Sequence, residues 1–161
     1  MVCTTSILAD TAQHIAGEDW QVVSLMGPGV DPHTYHATEH DVHALAQADL
    51  ILYHGLHLEG KMVHVLEQMN QYTTSVGVCE SLPKELLIES EVAGIYDPHV
   101  WHDVSLWRRV TSTIADALID VDNAYKERYE TNAHTYSTRL EHLDTSIFEL
   151  INEIPPNNVF S

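Results

Sequence analysis

The sequence predicts an α/β fold, with a four-stranded, mostly parallel sheet flanked by helices and followed by one long C-terminal helix. Three observations carry the prediction. Short β-type runs alternate with helix-like segments through the first half, the order that builds a parallel sheet with crossover helices on its faces. Residues 49–54, Asp-Leu-Ile-Leu-Tyr-His, are almost continuously apolar, as in a strand covered on both sides. Beyond residue 124, apolar side chains recur at spacings of four and three over about 30 residues, the signature of one helix stripe.

The elements follow in order. Residues 2–5 read as a strand, and Ser6 is placed to cap a helix reaching Ala16, which Gly17 ends. Residues 22–26 form a second strand, broken by Gly27-Pro28-Gly29. Thr38 caps a helix whose apolar face is Val42, Leu45, Ala46 and Ala48. After the 49–54 strand, Gly55 precedes a helix carrying Leu58, Met62, Val65, Leu66 and Met69, and residues 74–79 supply the fourth strand. Residues 82–96 are an irregular acidic connector without histidine, and a helix spans about residues 105–118. The final stripe runs Tyr125, Tyr129, Ala133, Tyr136, Leu140, Leu143, Ile147, Leu150 and Ile154, and Pro155-Pro156 ends it.

Composition narrows the function. Among 161 residues, 24 acidic side chains stand against 7 basic ones, a formal charge of −17. Nucleic acid and anionic membrane surfaces are poor partners for such a chain. No apolar run approaches the roughly 20 residues that span a bilayer. The first residues read straight into a strand, without a signal-peptide pattern, so the chain is either cytoplasmic or the product of removing an upstream targeting segment. Cys3 and Cys79 are too few for a disulfide framework and read as small buried side chains. Twelve histidines outnumber all lysines and arginines together, which points toward metal or proton chemistry.

The most specific feature is a tripeptide present twice, in Asp31-Pro32-His33-Thr34-Tyr35 and Asp97-Pro98-His99-Val100-Trp101. Chance supplies roughly 0.03 copies of such a tripeptide in a chain of this composition. Asp-Pro initiates a stiff turn, so the following imidazole leaves in a set direction. Tyr35 and Trp101, each two residues on, are placed to pack against that ring. Both corners are expected at the C-terminal rim of the sheet, where open α/β sheets bind ligands. Two rigid imidazoles there make half of a metal site. His54, His57 and Glu59 either line that site or orient a ligand there, or serve only the fold, and His102 is either a neighbour of the site or a water-facing residue. His36, His40 and His43 share a helical spacing that either holds a metal or forms a solvated face; the solvated face is preferred. Nucleophile-elbow, phosphate-loop, dinucleotide and zincin motifs do not occur in the sequence.

At these residues the chain resembles the metal-specific solute-binding proteins of ABC transporters, the manganese, zinc and iron receptors of bacterial uptake. Residues 25–35 resemble that family's first ligand loop, residues 48–59 its third strand and following turn, and residues 96–103 its second ligand loop. The resemblance implies two α/β lobes joined by one long helix, with the metal between them and each lobe giving two ligands. By motif, His33 and His99 are the first lobe's pair; His102 departs from a commonly apolar position. The implied division is 1–121 as the N-terminal metal-binding lobe, 122–154 as the connecting helix, and 155–161 as the truncated start of a missing second lobe. The partners implied are a metal ion, the transporter permease and that second lobe, in a periplasmic or lipid-anchored protein. Zinc-specialised members of that family often carry a histidine-rich loop between the first two ligands, so the resemblance implies, for a connector without histidine, a tilt toward manganese or iron, with zinc retained. Two other readings are weighed against it: a small metal-dependent hydrolase using His33, His99 and His57, and an acidic interaction module that recruits metal through His40 and His43.

Overall fold

The computed structural model describes residues 1–92 and 94–154. Strands β1 (Val2–Thr5), β2 (Val23–Met26), β3 (Leu50–Tyr53) and β4 (Thr74–Gly77) form one sheet in the order β2-β1-β3-β4, with every neighbouring pair parallel. Helices α1 (Ser6–Ala16), α2 (Glu39–Ala46), α3 (Val63–Met69), α4 (Val104–Val121) and α5 (Lys126–Asn152) complete the fold. The expected sheet followed by a long helix is what forms. The chain turns to opposite sides of β1 and β3, and such a reversal opens a crevice beyond the strands' C-terminal ends.

Side-chain alternation along β3 builds two apolar layers. Leu50 and Leu52 face one side with Cys3, where Leu8 and Ile15 of α1 and Val110, Ile114 and Leu118 of α4 pack. Ile51 faces the other side with Val2 and Met26, against Leu45 of α2 and Leu66 of α3. Because both faces are buried, β3 must be apolar at every position.

Local signals set most helix ends. Thr5, one residue earlier than Ser6, caps α1 by accepting from Leu8 N, and Gly17 closes it at φ 80°. Thr38 and Asp41 form a reciprocal capping box on α2. Asp103 caps α4 by accepting from Ser105 N at 2.8 Å and Leu106 N at 3.1 Å.

The helix expected directly after Gly55 starts only at Val63. Gly55, Leu56 and His57 all have positive φ, at 82°, 52° and 64°, a left-handed run that a right-handed helix cannot accommodate. Carboxylates hold this rim turn. Glu59 Oε1 accepts from His54 N at 2.8 Å and from Thr4 Oγ1 at 2.6 Å, and its Oε2 accepts from Gly55 N at 3.2 Å. Glu80 Oε1 accepts from Leu56 N at 2.9 Å, and a Cβ on Gly55 would meet that oxygen at 2.6 Å.

His54 is turned inward and fully buried at the end of β3, with its Nε2 2.8 Å from Thr5 Oγ1 at the end of β1. Burial pushes its pKa down to about 3, helped by the nearby charge of His99.

The 27-residue α5 spans about 40 Å at 1.5 Å per residue, and only its first half is docked. Tyr129 is fully buried; its hydroxyl accepts from Trp20 Nε1 at 2.9 Å and donates to Asp122 Oδ2 at 2.8 Å. Asn132 Nδ2 donates to Ile15 O at 2.9 Å, and Arg108 pairs with Glu141 at 3.1 Å. From residue 141 to 154 every side chain is exposed, including Leu143 at 54% and Leu150 at 63%. Pro155 and Pro156, expected to stop the helix, lie outside the described residues.

Tyr129→Phe removes a hydroxyl on which Trp20 Nε1 and Asp122 depend, and should cost about 1–3 kcal/mol in urea unfolding. The acid limb of stability should carry His54's signature. Between about pH 6.5 and 3 the unfolded chain binds a proton that the native ring refuses, so stability falls as pH falls, by up to about 1.4 kcal/mol per pH unit. Burial raises Glu59's pKa, which contributes with the opposite sign. Unfolding measured at pH 6.5 and 4.5 should therefore show a smaller acid loss in His54→Phe than in the unsubstituted chain.

Candidate metal centre

Both Asp-Pro-His corners adopt the same local geometry. Asp31 Oδ1 accepts from His33 N at 2.9 Å, and Asp97 Oδ1 accepts from His99 N at 2.9 Å. The aspartate thus closes a turn across the proline, whose fixed φ removes the remaining freedom. Thr34 Oγ1 adds a bond to Asp31 Oδ2 at 3.1 Å. One corner lies between β2 and α2, and the other immediately precedes α4.

The two corners meet. His33 Nε2 and His99 Nε2 are 3.2 Å apart, with ring centroids 5.2 Å apart and planes inclined by 60°. Two nitrogens bound to one zinc-like ion at about 2.0–2.1 Å and a tetrahedral angle would lie about 3.3 Å apart. The spacing therefore suits two ligands of one ion.

The protonation state follows from the partners. His99 Nδ1 lies 2.6 Å from Asp97 Oδ1, and an ionised carboxylate can only accept, so the ring carries its proton on Nδ1. A neutral His99 then presents the lone pair of Nε2 toward His33. The His99 backbone and ring N–H groups hold Asp97's carboxyl below the usual carboxylate range. An aspartate behind the imidazole is the device by which proteins orient metal-binding histidines. Neither aspartate was singled out from sequence for this role, although both stand in the repeated motif. With His33 and His99 exposed at the rim, an ion has open access.

Trp101 packs edge-on against His99, with centroids 5.2 Å apart at 71°, as expected of the second motif. Tyr35 does not repeat this: its hydroxyl instead donates to Asp41 Oδ2 at 2.7 Å. The capping carboxylate of α2 is a stronger partner for the phenol than an exposed ring, and the bond raises Tyr35's pKa to about 12. His102 is exposed and tilted against Trp101 at 5.5 Å.

The three rim residues after β3 separate. His54 packs edge-on against Trp101, with centroids 5.2 Å apart at 73°. Glu59 is spent on the rim turn, and His57, exposed at its positive φ, lines a separate cavity of about 200 Å³ with Glu59, Glu67 and Glu80. Among the described residues, no group of three or more His, Cys, Asp or Glu side chains is arranged to hold a metal ion. The His36, His40 and His43 series therefore forms no such site.

Comparison with known proteins identifies the family. The family model described as zinc-uptake complex component A, periplasmic, matches residues 1–160. The chain is 39% identical to the manganese-binding lipoprotein MntA of Bacillus subtilis, over 96% of this chain and 51% of that protein. It is 37% identical to the zinc-binding protein TroA of Treponema pallidum, over 96% of this chain and 50% of that one. The solved structure of the Treponema pallidum periplasmic zinc-binding protein TroA superposes with a TM-score of 0.91, covering 96% of this chain and 56% of that chain. A manganese-bound periplasmic metal-binding protein from Candidatus Liberibacter asiaticus gives 0.84 at 28% identity, covering 96% and 57%. The chain spans about half the length of the relatives it matches. By its family match across nearly every residue, this chain belongs to the periplasmic zinc-uptake component A family of metal-binding ABC-transporter solute-binding proteins.

Proposed function

We propose that the chain captures a divalent transition metal for ABC-transporter uptake, with His33 and His99 supplying two of the ion's ligands. The observation that carries this is the 3.2 Å separation of two Nε2 atoms delivered by loops 66 residues apart. Asp97 orients one ring, and the open side of the pair leaves room for further ligands. A second lobe, beginning after residue 154, supplies those ligands and closes over the ion. The exposed apolar stripe on the distal half of α5 supports this division, because a bare stripe of that length ordinarily marks a surface meant to be covered. Residues 1–121 then form the first lobe and 122–154 the connecting strut.

Manganese or iron is the favoured cargo, on the acidic, histidine-free connector, and zinc remains within the chemistry of imidazole. Relatives are named for manganese, zinc and iron alike. The protein works as a binding partner of a membrane permease rather than as an enzyme, in the periplasm or as a surface lipoprotein, the locations its relatives' names give. The hydrolase reading draws no support from these relatives.

Calorimetric titration with Mn²⁺ and Zn²⁺ tests the pair. His33→Ala and His99→Ala should each weaken binding at least about tenfold, and unchanged binding in both would remove the assignment. The double variant His40→Ala/His43→Ala should bind as tightly as the unsubstituted chain. Asp97→Asn should weaken binding by roughly 10–100-fold, because an amide can donate to Nδ1 and return the proton to Nε2; equal affinity would show that the ring needs no such partner.

A further inference from the structure

A file of four rings runs from the core to the rim. Trp107 is buried in α4, and its Nε1 donates to Thr11 Oγ1 of α1 at 3.1 Å. Its indole stacks on His54, with centroids 5.6 Å apart at 27°. His54 meets Trp101 edge-on at 5.2 Å, and Trp101 meets His99 edge-on at 5.2 Å. Aromatic pairs at such separations and inclinations are attractive and directional.

His54 is firmly held. It is fully buried, its Nε2 is tied to Thr5 Oγ1, its backbone N–H to Glu59, and its carbonyl accepts from Cys79 N at 2.9 Å. It is also an expensive choice. Among the described residues its Nδ1 has no hydrogen-bond partner, and a polar atom left bare in the interior works against stability. Such an atom next to a binding rim calls for an explanation beyond packing.

We infer that His54 is a positioning residue for metal capture, which fixes the His99 imidazole through Trp101. Asp97 restrains His99 at Nδ1, and Trp101 restrains the ring's face. Trp101 is itself only half-buried, so its orientation depends on the rigid imidazole behind it. Without that ring Trp101 gains rotamers, and His99 must be ordered when the ion arrives, which weakens binding. The inference rests on His33 and His99 being ligands.

Zn²⁺ titration of the full chain tests it, with the His99 ring followed by nitrogen NMR and folding checked by circular dichroism. His54→Ala should weaken Zn²⁺ binding roughly tenfold and broaden the His99 ring signals, whereas His54→Phe, which restores a flat ring, should recover most of the affinity. Should the alanine variant not fold, His54→Leu fills the volume without a flat ring and is measured in its place. Trp101→Leu should cause a similar loss, and adding His54→Ala to it should cost nothing more, because both act through one contact. Additive losses would overturn the inference, as would full affinity in His54→Ala or His54→Leu. Unchanged binding in His99→Ala would overturn the ligand pair and this inference together; lost binding there with full affinity in the His54 variants would overturn this inference alone.

Discussion

Two imidazole nitrogens held 3.2 Å apart cannot both present lone pairs to each other without repulsion, and only a shared proton or a cation relieves it. On the His99 side the surroundings oppose the simple escape of rotating the ring away. Each histidine follows a proline and sits in a turn closed by its own aspartate. On His99, Asp97 takes the remote ring nitrogen, and Trp101 covers a face. On the proposed reading of the site, His99 is already ordered before an ion arrives, so less ordering remains to be done on binding.

The rim turn after β3 carries backbone strain of its own. Leu56 and His57 occupy left-handed backbone, which disfavours non-glycine residues by roughly 1–2 kcal/mol each. Two glutamates offset the strain by accepting three successive backbone N–H groups. The turn allows His54 to point inward while the next histidine points to solvent. Strain of this kind concentrates where a site requires a particular geometry, and here it lies at the strand pair where the sheet's connections diverge.

Charge acts at longer range. A body with formal charge −17 draws divalent cations toward its surface, an effect that salt screens beyond about 8–10 Å. Farther along, the distal half of α5 keeps its stripe of apolar residues bare, while the half resting on α1 and α4 is tied down by Tyr129, Asn132 and Arg108.

The four strands, the Thr38 cap and the two Asp-Pro-His corners were all readable in the chain, because each depends on residues within a few positions of one another, and the alternation of strands with helices implied the parallel sheet. Periodicity, capping and proline turns are encoded at that range. Convergence of His33 and His99 at the strands' C-terminal rim was expected from one corner following the second strand and the other following the completed sheet, but its distance was not. Nor was the late start of α3, since a Gly-Leu-His run reads as helix-compatible until Glu59 and Glu80, one of them 24 residues away, capture its backbone. Tyr35 looked equivalent to Trp101, yet a capping aspartate six residues on claims its hydroxyl. His54 and His57 looked alike in sequence; burial between Trp101 and Trp107 distinguishes them. The regular stripe of α5 forecast one long helix without revealing that only half would be covered. These outcomes belong to the tertiary structure, because they turn on which distant groups compete for the same hydrogen bond or the same patch of surface, and local pattern carries no record of that competition.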